Sequence, residues 1–442
     1  MDKNMKTPVI IFVFLTQSVF VQAQHVFNSL HDVWEYSLSN SPENAIYQLM
    51  IEQAVQDKKT ANSYLYPKAA ASFSGQKSID IPETPVPGEL IGKPGETVYM
   101  KFGQNYSFNS GISISKTLLD WQAMAQSKIA KLNVSLTEAQ KDYFEQTLKE
   151  QVAQVYYAAL TAKKAVKISD RDFEIADSIC LLSQERFEQG LIDALVFNQS
   201  KINKNSVFEK LERNKLYQSQ CIYNLKLFLG ISASDSLILT EDNLIVDNQN
   251  TLDYKQLTNE KYIKIYSLQS EISGTETKKA LARFAPKIDI AYYYGTSQYQ
   301  DDFALSFKSS DWKPNSYLGL SLSIPIFTGF SNKIQYNSVK ISQTITQKKL
   351  QDETRKSAIN DSILLAGYFS SLKLIQVATE TYKISSNSVK LAAQKYAQGL
   401  INLDEYLKIF DEYLTVENQY FNLLSDYLIN KATIDARKKY KL

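Results

Sequence analysis

With 442 residues and 49 Lys and Arg against 47 Asp and Glu, the chain carries a net charge of only +2. That excludes a charge-driven grip on nucleic acid or on a strongly acidic partner. It has 28 Tyr but only 10 Pro and 14 Gly, a composition suited to long helices with broad half-wet aromatic surfaces.

Residues 1–23 read as a secretory leader. Lys3 and Lys6 give a basic start, and Val21-Gln22-Ala23 forms a small-residue cleavage pattern before Gln24. The apolar run between them, Val9 to Val21, is shorter than the ~20 residues of a spanning helix. No later segment is expected to cross a membrane as a helix, so the exported chain is either soluble or a β-barrel protein.

A first repeat is expected over 24–230. After an opening helix, a β-hairpin falls at about 66–116. Ala69, Ala71 and Phe73 share one face, and Ser110, Ile112 and Ile114 alternate with Gly111, Ser113 and Ser115. Between these strands, 76–105 contains Pro82, Pro85, Pro87, Gly88, Gly92, Pro94 and Gly95 and is expected to be irregular. A long helical hairpin follows at about 119–229. Asp120 to Lys163 contains neither Pro nor Gly, and Ser169 to Leu229 contains only Gly190. Cys180 and Cys221 fall in one predicted helix, too far apart along it for a disulfide. Residues 231–250 form a linker.

The second repeat, 251–434, follows the same order. Its β-hairpin lies at about 286–325, where Ile288, Ile290, Tyr292 and Tyr294 alternate with Asp289, Ala291 and Tyr293, and Leu318, Leu320, Leu322 and Ile324 alternate with Gly319, Ser321 and Ser323. A polar loop with Asp301 and Asp302 lies between them. The second helical hairpin runs over about 329–434, and 435–442 is a C-terminal tail. In the last helix Leu403, Leu407, Phe410, Leu414, Phe421, Leu424 and Leu428 follow coiled-coil spacing, with Glu417 breaking the run. A second stripe, Tyr406, Ile409, Tyr413, Val416, Tyr420, Leu423 and Tyr427, suits contact on two sides, as in a ring of helices; an ordinary bundle is the rival.

The two halves match in detail. Gln189-Gly190-Leu191-Ile192 recurs as Gln398-Gly399-Leu400-Ile401, with Arg186-Phe187 answering Lys395-Tyr396. Ile112-Ser113-Ile114-Ser115 answers Leu320-Ser321-Leu322-Ser323, and Tyr66-Pro67-Lys68 answers Ala285-Pro286-Lys287. The order of matches is preserved, the mark of an internal duplication. A glycine inside a helix costs about 1 kcal/mol relative to alanine, so Gly190 and Gly399 are expected to mark helix breaks. Four strands cannot close a barrel, since the smallest outer-membrane barrels have about eight. Either the sheet is soluble or several chains share one barrel.

These features together resemble the TolC-like outer membrane efflux family. The resemblance rests on the two Gln-Gly-Leu-Ile segments, on Ser323-Ile324-Pro325-Ile326-Phe327-Thr328-Gly329, which is similar to that family's strand-to-helix junction, and on Leu225 to Gly230, which resembles the end of its first long hairpin. Thr117 and Trp121 stand where Pro325 and Gly329 stand in the second half, a departure that touches the geometry of that corner. The resemblance covers about residues 28–436.

It implies a mostly α fold with a small β part: a long α-helical barrel in the periplasm, plus four strands per chain in a trimeric, 12-stranded outer-membrane β-barrel. It implies an equatorial region around the breaks at Gly190 and Gly399, the linker and the tail. The implied partners are two further copies of the chain, outer-membrane lipid, a periplasmic adaptor and, through it, an inner-membrane pump; no nucleic acid is implied. The implied function is a passive export duct of a tripartite efflux or type I secretion system. On this reading the helix turns at the periplasmic tip lie near 162–168 and 372–377. Ala162, Lys163, Lys164, Lys167, Leu372, Lys373, Leu374 and Gln376 are then candidates for the gate or adaptor contact, and Pro325 and Gly329 shape the strand-helix junction.

The rival readings are a secreted periplasmic coiled-coil scaffold or adaptor without a channel, and a periplasmic enzyme. The first leaves the alternating strands without a role. The second lacks a constellation: His25 and His31 are the two histidines, and there is no metal-ligand cluster, phosphate-cradling glycine loop or nucleophile elbow. The chain therefore reads as a non-enzyme without a cofactor.

Overall fold

The computed structural model describes residues 24–241 and 259–437. The leader expected over 1–23, residues 242–250 of the expected linker and residues 438–442 of the expected tail lie outside the described residues. In chain order the elements are β1 (Gln24–Phe27), α1 (Leu30–Asn40), α2 (Pro42–Ala61), β2 (Lys68–Lys77), β3 (Glu83–Pro87), β4 (Thr97–Lys101), β5 (Tyr106–Leu119), α3 (Trp121–Glu188), α4 (Ala194–Leu229), β6 (Ser236–Leu239), α5 (Glu260–Leu281), β7 (Lys287–Gln300), β8 (Lys313–Ser323), α6 (Ser331–Ala397) and α7 (Leu403–Arg437). They divide into two compact units, one of 1–45, 144–257 and 360–442, the other of 46–143 and 258–359.

The second unit holds a four-stranded sheet in the order β2-β5-β7-β8, every neighbouring pair antiparallel. Register follows from the period-two pattern, because a slip of one residue would turn each apolar side chain to the opposite face. Ala71 pairs with Ile112, Ile112 with Tyr294, Tyr292 with Leu318 and Ile290 with Leu320, so one face is an apolar field. On the other face, Gly111 pairs with Gly295, Ser113 with Tyr293, and Ala291 with Gly319. Those two paired glycines are required there. The Tyr293 hydroxyl lies 2.4 Å from where a Cβ on either would sit, and the ring stacks on Tyr317 at 5.4 Å.

The stretch 76–105 is not irregular throughout, contrary to the expectation from its prolines. It folds as a small hairpin, β3 antiparallel to β4, with Val86 opposite Val98. The prolines are tolerated because this two-stranded ribbon leaves half of its backbone groups unpaired. Gly92 and Gly95 supply the positive φ angles of 81° and 86° that the turn needs. In the same unit, α5 is tied to the start of α3 by Lys279 Nζ, 2.6 Å from Gln126 Oε1, and to α6 by the Tyr262 hydroxyl, which donates to Glu353.

The first unit has an aromatic and aliphatic core gathered in separate clusters. Ala176 and Ile179 of α3, Val207 of α4, Val389, Ala392 and Tyr396 of α6, and Leu403, Tyr406, Phe410 and Tyr413 of α7 form one buried cluster. A second gathers Val33 and Trp34 of α1, Val152, Tyr156 and Leu160 of α3, and Leu225 and Leu229 of α4. The Trp34 indole donates to the Lys149 carbonyl at 2.8 Å. A short parallel pair, β1 with β6, joins Gln24–Phe27 to the segment after α4, a pairing the sequence pattern did not reveal.

The two stripes expected on α7 are replaced by a single seam. Its buried residues are Leu403, Tyr406, Phe410, Tyr413, Glu417, Phe421, Leu424, Tyr427 and Leu428, which takes members from both stripes. Leu407, Ile409, Leu414 and Val416 flank it as half-buried shoulders. The tail expected from 435 begins inside α7, which runs to Arg437. That residue is held by Glu150 Oε1 at 2.9 Å and Asp361 Oδ1 at 2.7 Å.

Cys180 and Cys221 do not share a helix: the first is on α3 and the second on α4, and both are buried and free. One stretch of α6 is apolar enough to cross a membrane by length and composition, with 17% of it buried. No such helix was expected after the leader; α6 carries apolar side chains such as Ile363 and Val377 on an exposed side.

Candidate functional site

Two surfaces stand out once the elements are in place: the helix turns of the first unit and the open sheet of the second.

The segment between α3 and α4 is a full reversal. Phe173 lies against Phe208 at 5.4 Å and Phe187 against Phe197 at 5.3 Å, so the two helices run antiparallel and the chain turns at 189–193. The local chemistry dictates the turn. Gly190 sits at φ 73°; its N–H donates to the Phe187 carbonyl at 2.9 Å, and the Leu191 N–H donates to the Arg186 carbonyl at 2.8 Å. This is the glycine-closed helix end that satisfies the last carbonyls. Asp193 then caps α4, accepting the Val196 N–H at 2.9 Å. The second half repeats every step. Gly399 sits at φ 73°, its N–H donates to the Tyr396 carbonyl at 3.0 Å, and Leu400 N–H donates to Lys395 at 2.9 Å. Asn402 Oδ1 accepts the Glu405 N–H at 2.8 Å.

The two turns are fastened side by side. The Arg186 guanidinium lies 4.6 Å from the Tyr396 ring centre, and Arg186 Nη2 donates to the Tyr396 and Ala397 carbonyls at 2.8 and 3.1 Å. A cation placed on the last carbonyls of α6 is favoured by that helix's dipole. The Ser183 and Tyr396 hydroxyls are 2.8 Å apart. At the tips themselves Leu191 and Leu400 are 67% and 68% exposed, a matched apolar pair held outward.

This placement corrects the expected sites. Gly190 and Gly399 are not breaks in the middle of long helices; they close the hairpins. Conversely, 162–168 and 372–377 are not turns. Ala162, Lys163, Lys164 and Lys167 lie inside the uninterrupted α3, and Leu372, Lys373, Leu374 and Gln376 inside the uninterrupted α6. Ala162 is buried, and Lys163 Nζ is 2.9 Å from the Leu239 carbonyl on β6. The reason is local: neither stretch contains a glycine, proline or capping pair that would stop a helix.

In the second unit the strand-to-helix corners differ. At the second corner Pro325 follows β8, Gly329 has φ 58° and Phe330 has φ 65°, a sharp left-handed bend before α6. At the first, where Thr117 and Trp121 replace the proline and glycine, the register of β5 on β7 shifts between Thr117 and Leu119. The Thr117 hydroxyl donates to Asp289 Oδ1 at 2.7 Å, and Asp120 Oδ1 accepts the Ala123 N–H at 3.0 Å to start α3. A bulge and a cap do the work of the proline and glycine.

The sheet has open edges at β2 and β8. Its apolar field also faces outward: Ile112 is 51% exposed, Tyr294 54%, Leu318 71% and Leu320 72%. Soluble proteins avoid long unprotected edges and wide apolar patches. Among the described residues no group of three or more His, Cys, Asp or Glu is placed to hold a metal ion.

The sequence reading missed Arg186 and Tyr396 as fasteners of the turns, although both flank the repeated Gln-Gly-Leu-Ile segments. It also missed that Glu417, the one break in the first stripe, faces inward.

Residues 37–230 match the model of the outer membrane efflux protein family. No curated protein matches the chain by sequence. Among solved structures, the chain is similar to the outer membrane channel CmeC of Campylobacter jejuni at 16% identity and a TM-score of 0.72, over 98% of this chain and 93% of that one. The open state of the MtrE outer membrane channel of Neisseria gonorrhoeae matches at 16% identity and a TM-score of 0.74, over 92% and 88% of the two chains. CusC, described in terms of transmembrane channel formation, matches at 16% identity and a TM-score of 0.76, over 95% of each chain. The likeness to the outer membrane efflux protein family thus rests on residues 37–230, while over almost its full length the chain has the fold of these solved outer-membrane channels.

Proposed function

We propose that the chain is one protomer of a homotrimeric outer-membrane channel, a passive export duct from the periplasm to the outside. The observation that carries this reading is the four-stranded sheet with an exposed apolar face and unpaired edges at β2 and β8. A sheet in lipid must pair every backbone group, which only closure achieves. One chain cannot close it; three would supply twelve strands, within the range of outer-membrane barrels. The apolar field would then meet lipid, and the glycine, serine and tyrosine face would meet water.

On this reading residues 1–23 are a leader removed on export, and two duplicated halves each contribute a β-hairpin and a helical hairpin. A periplasmic adaptor is the fitting partner, linking the duct to an inner-membrane efflux pump or a type I secretion machine. The paired turns at 189–193 and 398–402, with Leu191 and Leu400 held outward, suit that contact better than the helix interiors at 162–168 and 372–377.

The test is the oligomeric mass and single-channel conductance of the mature protein purified from outer membranes. A trimer conducting through a water-filled pore is the expected outcome. A soluble, non-conducting monomer would overturn the reading in favour of a coiled-coil scaffold.

A further inference from the structure

The buried seam of α7 contains one residue that does not belong in a hydrophobic core. Glu417 is 1% exposed, between Tyr413 and Phe421 along the seam. Asp172 of α3 is also 1% exposed; it meets α7 through the Tyr413 hydroxyl, one turn before Glu417, and Glu417 is among the neighbours that push its carboxyl up. Burying one carboxylate without partners costs several kcal/mol, and burying two like charges together costs more.

The donors around them satisfy only half of the four oxygens. Lys210 Nζ of α4 is 3.1 Å from Glu417 Oε1. The Tyr413 hydroxyl donates to Asp172 Oδ1 at 3.1 Å. Among the described residues Asp172 Oδ2 and Glu417 Oε2 have no donor. Two acceptor oxygens in adjoining buried carboxylates repel; a single proton between them turns the repulsion into a charge-assisted hydrogen bond.

The rest of the surroundings agrees. From α3, exposed Arg171 lies near Tyr413. From α4, Lys210 is the cation in ion-pair contact. From α6, the Tyr382 ring stacks on Tyr413 at 6.2 Å. From α7 come Tyr406 and Tyr413. Burial pushes the Tyr382, Tyr406 and Tyr413 phenols up, so these groups stay neutral, and Tyr413 serves as the hydrogen-bond donor to Asp172.

We propose that Asp172 and Glu417 hold one proton between them at neutral pH and thereby form an acid pair that clasps α3 of the first helical hairpin to α7 of the second, a clasp that opens when the proton leaves. Desolvation first, and then the neighbouring Glu417, push Asp172 up to about 8, with Lys210 pulling the other way. The folded chain therefore binds this proton more tightly than the unfolded chain. Its contribution to stability is complete below the ordinary carboxylate range and is lost as pH rises through about 8.

The test uses the full mature chain, purified in detergent, and reads the infrared carbonyl band of a protonated carboxylic acid. At neutral pH the parent is expected to show the band and to lose it as the solution is made alkaline. Asp172→Asn and Glu417→Gln are each expected to abolish it, and to flatten the fall in thermal unfolding midpoint between about pH 6 and about pH 9. Lys210→Met, which removes the opposing cation and leaves both carboxyls, is expected to move the loss of the band to higher pH. No band at neutral pH, a band untouched by either carboxyl substitution, or an unmoved titration in Lys210→Met would each overturn the clasp. The band reports a proton whatever the chain conducts, so its absence would leave the channel reading standing.

Discussion

The same kinds of side chain have opposite fates in the two units. On α7, Tyr406 and Phe410 are 0% exposed; on β8, Leu318 and Leu320 are 71% and 72% exposed. The helical hairpins find apolar partners within their own chain, because two antiparallel pairs present complementary seams. The sheet's apolar field stays exposed among the described residues. The difference teaches which part of the molecule is finished by folding and which is finished only by its surroundings.

Substitutions can break this contrast at either end. The largest effect is expected from Phe410→Ala, which empties a fully buried aromatic site and should destabilise the helical unit by about 3–5 kcal/mol, read as a lowered thermal midpoint by circular dichroism. Next is Leu320→Arg. If the field faces lipid, a cation there should cost about 2–4 kcal/mol per protomer and reduce the heat-resistant oligomer in membrane fractions. Ser321→Arg, one residue along and on the opposite face, should leave the oligomer intact. Equal tolerance of both would mean that the field meets water. The smallest effect sharpens the reading of the turns. Gly399→Ala meets no atom within 4 Å, so its penalty is the left-handed backbone alone, about 1–2 kcal/mol. Adaptor capture should survive Gly399→Ala but fall when Leu191 and Leu400 are both replaced by Asp.

Much of this was legible in the sequence where the information is local. The alternation of Ile112 and Ile114 with Ser113 and Ser115 specifies a strand and its faces, because side chains on an extended backbone point alternately up and down. The turns were legible too, yet misread. Gly190 followed by Asp193, and Gly399 followed by Asn402, carry both the glycine that ends one helix and the cap that starts the next. Treating the glycines as interior breaks displaced the expected tips into glycine-free stretches of α3 and α6. The hairpin inside 76–105 was hidden because proline content argues against strands in general but not against a two-stranded ribbon.

The sequence by itself determined the periodicities: strands that alternate, helices that carry seams, and a duplicated order of elements. These follow from the geometry of each residue and its near neighbours. Only the tertiary structure decided which seam each helix buries, that Arg186 of one hairpin caps the end of the other, and that Glu417 and Asp172 meet. Those residues are far apart along the chain, and a carboxylate on a helix looks the same in sequence whether it faces water or a second buried carboxylate. Its neighbours across the fold, and the solvent they exclude, settle what it does.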